Sequence, residues 1–123
     1  MHKGVCKMDI LKALTENEFY LQKEDAILLF DLTGIIINGN RSAEELTGFS
    51  VGELCQSRLN SLVIEEKDSN ILHYLLIRAE DGFTENTEMA IRNKSGERID
   101  LAIEIAPLFV NDNVIGMYGT LKR

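Results

Sequence analysis

The stretch Ile37-Asn38-Gly39-Asn40-Arg41-Ser42-Ala43-Glu44-Glu45-Leu46-Thr47-Gly48 changes character within a few residues. Before it, AILLFDLTGIII (26–37) is almost unbroken apolar sequence and reads as two strands, 26–32 and 35–38. Asp31 and Gly34 bracket the link between them as in a tight hairpin, the glycine offering a positive φ. After Asn40, good helix formers run over 41–47 and stop at Gly48, which supplies a left-handed C-terminal cap. Asn40 is one capping option, and Ser42 with Glu45 is a rival capping box. So short a helix does not persist on propensity alone. Its neighbours must hold it, and the expectation is a lid segment forming one wall of a small chamber.

Working outward, a second short helix is expected at 50–56, with Ser50 as cap and Glu53 three residues on. Residues 57–64 read as irregular or a single turn. Asp68 reads as the cap of a longer helix, 69–80, ending near Gly82, with Ile71, Leu72, Leu75, Leu76 and Ala79 as its apolar face. The period then changes to two. Segments 83–93, 97–109 and 114–122 are strand-like, and Arg98-Ile99-Asp100-Leu101-Ala102-Ile103-Glu104-Ile105 alternates almost perfectly. Asn93-Lys94-Ser95-Gly96 and Asn111-Asp112-Asn113 carry turn chemistry, so the three form an antiparallel meander. Pro107 suits an edge or bulge position. Ahead of the strands, 5–23 is amphipathic, with Cys6, Ile10, Ala13, Leu14, Tyr20 and Leu21 on one side of a helical wheel and Asn17 interrupting the stripe. That helix either lies on its own domain or pairs with a second copy.

The expected organisation is an N-terminal helix over 1–24 and a core over 25–123. The core is an α+β domain whose helices cover one face of a five-stranded antiparallel sheet. A chain of 123 residues with 45% hydrophobic content suits one domain with one core. A net charge of −7 without a basic cluster argues against nucleic acid. The apolar runs are too short to span a membrane, and MHKGVCKMDI lacks the apolar core of a signal peptide. Cys6 and Cys55 read as reduced thiols of a cytoplasmic protein.

The punctuation points, taken in order, resemble those of the PAS sensory domain family. They are Asp31 and Gly34, Ile35-Ile36-Ile37 running to Asn40, Ala43 through Ser50, Gly52-Glu53-Leu54, and Asp68 opening the long helix. Asn93-Lys94-Ser95-Gly96-Glu97 and Val114-Ile115-Gly116 complete the pattern. Arg41 departs from it where the family often has proline. The resemblance covers about 25–122 and implies strand order 2-1-5-4-3. It also implies a sensory or docking role in a bacterial signalling protein, without catalysis. The implied output domain is a histidine kinase, a cyclic-dinucleotide enzyme or a transcription factor, and the end at Leu121-Lys122-Arg123 suggests a fragment of such a chain.

Cofactor readings are tested against that resemblance. Haem-binding members resemble one another in a histidine near the start of the long helix, where this chain has Lys67 and Asp68; His73 points away by helical phase. The reactive cysteine of light-sensing members falls at Leu59, so haem and a covalent flavin adduct are both disfavoured and the cofactor is unknown. Two histidines and two cysteines show no metal-ligand spacing, and no nucleophile has an evident base. What remains is an apolar chamber. Its expected lining is Leu28, Phe30, Met89, Ile91, Ile99, Leu101, Ile103 and Ile105 from strands, with Leu46, Leu54, Leu72, Leu75, Leu76 and Ala79 from helices. Asn40, Thr87 or Tyr118 would orient a small, mainly apolar ligand. Two functions follow: ligand sensing in that chamber, or a side-chain-filled domain that homodimerises or docks. In the second, Ile10, Leu14, Tyr20 and Leu21 are the contact, and Ile27 and Leu29 mark a covered outer sheet face.

Overall fold

The computed structural model describes residues 25–123. Strands β1 (Ala26–Phe30) and β2 (Ile36–Gly39) are followed by helices α1 (Arg41–Thr47) and α2 (Val51–Leu54), a 3₁₀ turn at Leu59–Leu62, and the long helix α3 (Glu66–Glu80). Strands β3 (Glu85–Arg92), β4 (Arg98–Val110) and β5 (Asn113–Lys122) complete the core. All neighbouring strands pair antiparallel, in the order β2-β1-β5-β4-β3. The expected N-terminal helix and its contact residues Ile10, Leu14, Tyr20 and Leu21 lie outside the described residues.

Local chemistry fixes each boundary. The Asp31 carboxylate accepts from Thr33 N at 2.9 Å, Thr33 Oγ1 at 2.6 Å and Ile35 N at 3.1 Å. Gly34, at φ +87°, donates back to the Asp31 carbonyl, which closes the hairpin. Asn40 wins the competition to cap α1: its Oδ1 accepts from Ala43 N at 3.0 Å. Gly48 ends that helix at φ +77°, and a Cβ there would lie 3.2 Å from Lys94 Cβ. Ser50 and Glu53 form the expected capping box of α2. Lys94 then ties the β3–β4 turn to both helices, donating its N–H to the Thr47 carbonyl and its Nζ to Glu53 at 2.6 Å.

Two expectations about α3 need correction. The helix starts at Glu66, not after Asp68. Glu65 is the extended residue before it, so Asp68 sits in the first turn, where the helix dipole favours a carboxylate, and it is buried. Ile71 is 38% exposed, whereas Leu72, Leu75, Leu76 and Ala79 face the sheet. The buried arc is therefore narrower than the sequence suggested. Pro107 falls where expected. β3 begins at Glu85 opposite Ile105, so β4 is an edge on that side by Pro107, while on the other side Pro107 pairs with Met117 of β5.

Candidate functional site

The space between helices and sheet is the candidate chamber. Leu28 and Phe30 of β1, Met89 and Ile91 of β3, and Ile99, Leu101, Ile103 and Ile105 of β4 reach it from below. Leu54, Leu72, Leu75, Leu76 and Ala79 meet them from above, with Leu46 packed at the margin. The structure thus brings the predicted apolar residues together in one cluster. It leaves no room among the innermost of them. A void wide enough for a ligand gives its lining atoms accessible surface even when sealed from bulk water. Leu28, Phe30, Leu72, Ile91, Ile103 and Ile105 have 0%. Gly119 makes the fit tighter still, since a Cβ there would stand 3.0 Å from Ile105 Cδ1 and 3.1 Å from the Phe30 ring.

Two of the three predicted polar anchors, Asn40 and Tyr118, are not in the chamber. Asn40 is consumed by structure: Oδ1 also accepts from Ile27 N at 2.9 Å, and Nδ2 donates to the Asp25 carbonyl at 2.9 Å. One amide thus caps α1 and pins it to the start of β1. Tyr118 belongs to the opposite sheet face, beside the buried cluster of Ile27, Leu29, Ile37, Leu108 and Ile115. It pairs across the sheet with Leu29 and Ala106. Burial, then the nearby Glu104 carboxylate, holds its phenol above the ordinary value of 10.0. Thr87 pairs with Ile103 and so shares the chamber-facing side of the sheet, half-buried on the edge strand β3.

Polar groups converge elsewhere, in a cleft that the sequence reading missed. Between the β1–β2 turn and α3 lies a recess of about 480 Å³, with Leu32, Leu76 and Met117 on its floor and Asn60, Ser69 and His73 among its rim. Asn60 Nδ2 donates to Ser69 Oγ at 2.7 Å, and Arg58 Nη1 donates to the Thr33 carbonyl across the entrance. His73 is exposed on α3, as its helical phase predicts. Only a spatial neighbourhood unites these residues, so no sequence spacing could have found them. Among the described residues, no group of three His, Cys, Asp or Glu is placed to hold a metal ion. No helix among them is long and apolar enough to cross a membrane.

The order of strands and helices has counterparts in known proteins. The PAS domain family model matches residues 24–122. This chain belongs to the PAS domain family. Similar solved structures agree with the PAS assignment in fold. A PAS domain of a protein from Colwellia psychrerythraea is 24% identical, with a TM-score of 0.74, covering 93% of this chain and 96% of that one. A domain of a sensory box sensor histidine kinase/response regulator from Geobacter sulfurreducens is 15% identical, with a TM-score of 0.72 and coverage of 93% and 96%. A LOV protein from Rhodobacter sphaeroides is 13% identical, with a TM-score of 0.76, covering 89% of this chain and 66% of that one. Among curated protein sequences there is no match. The PAS fold places Leu59 in the 3₁₀ turn, buried at the core, and Cys55 half-buried at the end of α2.

Proposed function

We propose that this PAS domain is a non-catalytic regulatory module of a signalling protein, working through its faces and strand ends rather than through an occupied chamber. The observation that carries this reading is the interior, whose central side chains have no accessible surface. Catalysis is a poor fit, because Asp68 is the single charged side chain among the buried ones described, and it serves the first turn of α3. Residues 1–24 are, in this reading, the segment that covers the outer cluster around Ile27 and Leu29. They do so in the same chain or in a homodimer, through Ile10, Leu14, Tyr20 and Leu21. β1 and β5 are neighbours, with Ala26 opposite Leu121, so anything attached at either end acts on the same two strands. An output of the histidine kinase or cyclic-dinucleotide type, in the cytoplasm, belongs to the same proposal.

Ligand sensing stands as a second reading because of the cleft beside α3, whose apolar floor and polar rim suit a small amphipathic molecule better than the chamber does. Native mass spectrometry of the purified chain separates the two. A mass equal to that of the polypeptide, or its dimer, under both gentle and denaturing conditions agrees with the filled module. A small molecule that stays under gentle conditions and leaves only on unfolding overturns that reading in favour of sensing.

A further inference from the structure

The long helix α3 carries a second apolar face. Ile71, Tyr74 and Ile77 are 38%, 55% and 45% exposed, although all three are large apolar or aromatic side chains. At 100° per residue they form one stripe centred on Tyr74, on the side away from the sheet. Lys67 and Asp81 stand seven residues before and after Tyr74, and both are exposed. Seven residues fall about 20° short of two full turns, so these two charges lie on the same line as Tyr74. The stripe therefore carries Lys67 before its apolar part and Asp81 after it, with Asn70 and the Glu85-paired Arg78 within about 40° of the same line. Lys67 does have a partner in its own chain, Glu65 at 3.4 Å, but that pair is solvent-exposed and weak.

Such a stripe complements its own reverse. When two copies of α3 lie antiparallel about a two-fold axis at Tyr74, Tyr74 meets Tyr74, Ile71 meets Ile77, and Lys67 meets Asp81. Each unlike contact is made twice. The same arrangement sets the positive end of one helix dipole beside the negative end of the other. A parallel pairing would set Lys67 against Lys67 and Asp81 against Asp81. An anionic membrane is a poor alternative occupant, because Glu66, Glu80 and Asp81 are exposed on α3 and the chain carries a net charge of −7.

We propose that a second copy of this chain docks on α3 in antiparallel register, with Tyr74 on the two-fold axis. The contact is separate from the outer sheet face. One helix pair buries on the order of several hundred Å², below the ~1,200 Å² of stable complexes, so the association is weak and depends on concentration.

The test uses the full chain in a Cys6→Ser, Cys55→Ser background, with Tyr74→Cys as the reporter and the exposed Asn113→Cys as the control. Under mild oxidation, position 74 forms covalent dimer about tenfold faster than position 113, because the two-fold axis raises its effective concentration. In sedimentation experiments without cysteine reporters, Lys67→Asp and Asp81→Lys each weaken association at least ~fivefold, and the two combined restore it, since the charges simply trade places. All of these positions are exposed, and circular dichroism verifies that each variant is folded. Equal oxidation rates at 74 and 113, single variants that associate as the parent does, or a combined variant no stronger than the singles would each overturn the proposal. Because none of these readouts depends on what occupies the chamber, failure here leaves the filled-module reading standing.

Discussion

Replacing Asn40 by alanine tests whether that amide is a fastener or a ligand contact. The side chain makes three hydrogen bonds: from Ala43 N at 3.0 Å, from Ile27 N at 2.9 Å, and to the Asp25 carbonyl at 2.9 Å. Losing the α1 cap costs about 1 kcal/mol. Ile27 is fully buried, so its N–H is stranded without a partner, adding roughly 1–3 kcal/mol. The Asp25 carbonyl lies near the domain margin, where water replaces the donor at little cost. The sum is about 2–4 kcal/mol. Asn40→Asp keeps both acceptor bonds, loses the donor and turns a negative oxygen towards the Asp25 carbonyl, so about 1–2 kcal/mol is expected. Urea denaturation followed by circular dichroism reads both differences as shifts in midpoint at constant slope. The reasoning is refuted if alanine costs under about 0.5 kcal/mol, or if aspartate is as damaging as alanine.

Gly119→Val forces two methyl groups into the contact between Ile105 and Phe30 and is expected to cost at least 3 kcal/mol, roughly the upper range for overpacking, read by thermal unfolding. Leu75→Ala removes a core-facing side chain of α3 and is expected to cost about 2–5 kcal/mol, while His73→Ala changes stability by less than about 0.5; equal effects would mean that the helix is rotated. Tyr118 has a raised pKa, so its folded-state contribution is fully present below 10.0 and is lost as pH rises through the higher folded value. Urea midpoints measured from pH 9 to 11.5 should therefore fall more steeply for the parent chain than for Tyr118→Phe, and parallel curves would contradict the buried placement.

Much of this architecture is readable from residues, and what is not has physical causes. The alternation of Arg98 through Ile105 announces a strand with one wet face, and β4 has that burial pattern over this span. Asp31, Gly34, Ser50 with Glu53 and Gly48 act locally, so their roles survive any tertiary context. Tyr118 was unreadable for the opposite reason. Strand β5 is buried on both faces, so alternation carries no sign of which side is inner. In sequence Asn40 reads both as a cap and as a ligand anchor, yet an amide with both ends committed to backbone cannot serve twice. For α3, apolar character alone placed Ile71 inside, yet the sheet covers a narrower arc of that helix. The cleft beside α3 joins Leu32, Asn60, Ser69 and Met117 from four separate segments, and only the fold creates it.

The central claim is that side chains alone fill the space between helices and sheet. Xenon titration followed by methyl NMR of leucine- and isoleucine-labelled protein tests it most directly, since xenon enters dry apolar voids without needing any specific contact. In a filled interior the methyl signals of Leu28, Leu72, Ile91 and Ile103 move only slightly and linearly with pressure, as solvent effects do. Saturable shifts concentrated on those four residues would show an open chamber, and the filled-module account would be wrong.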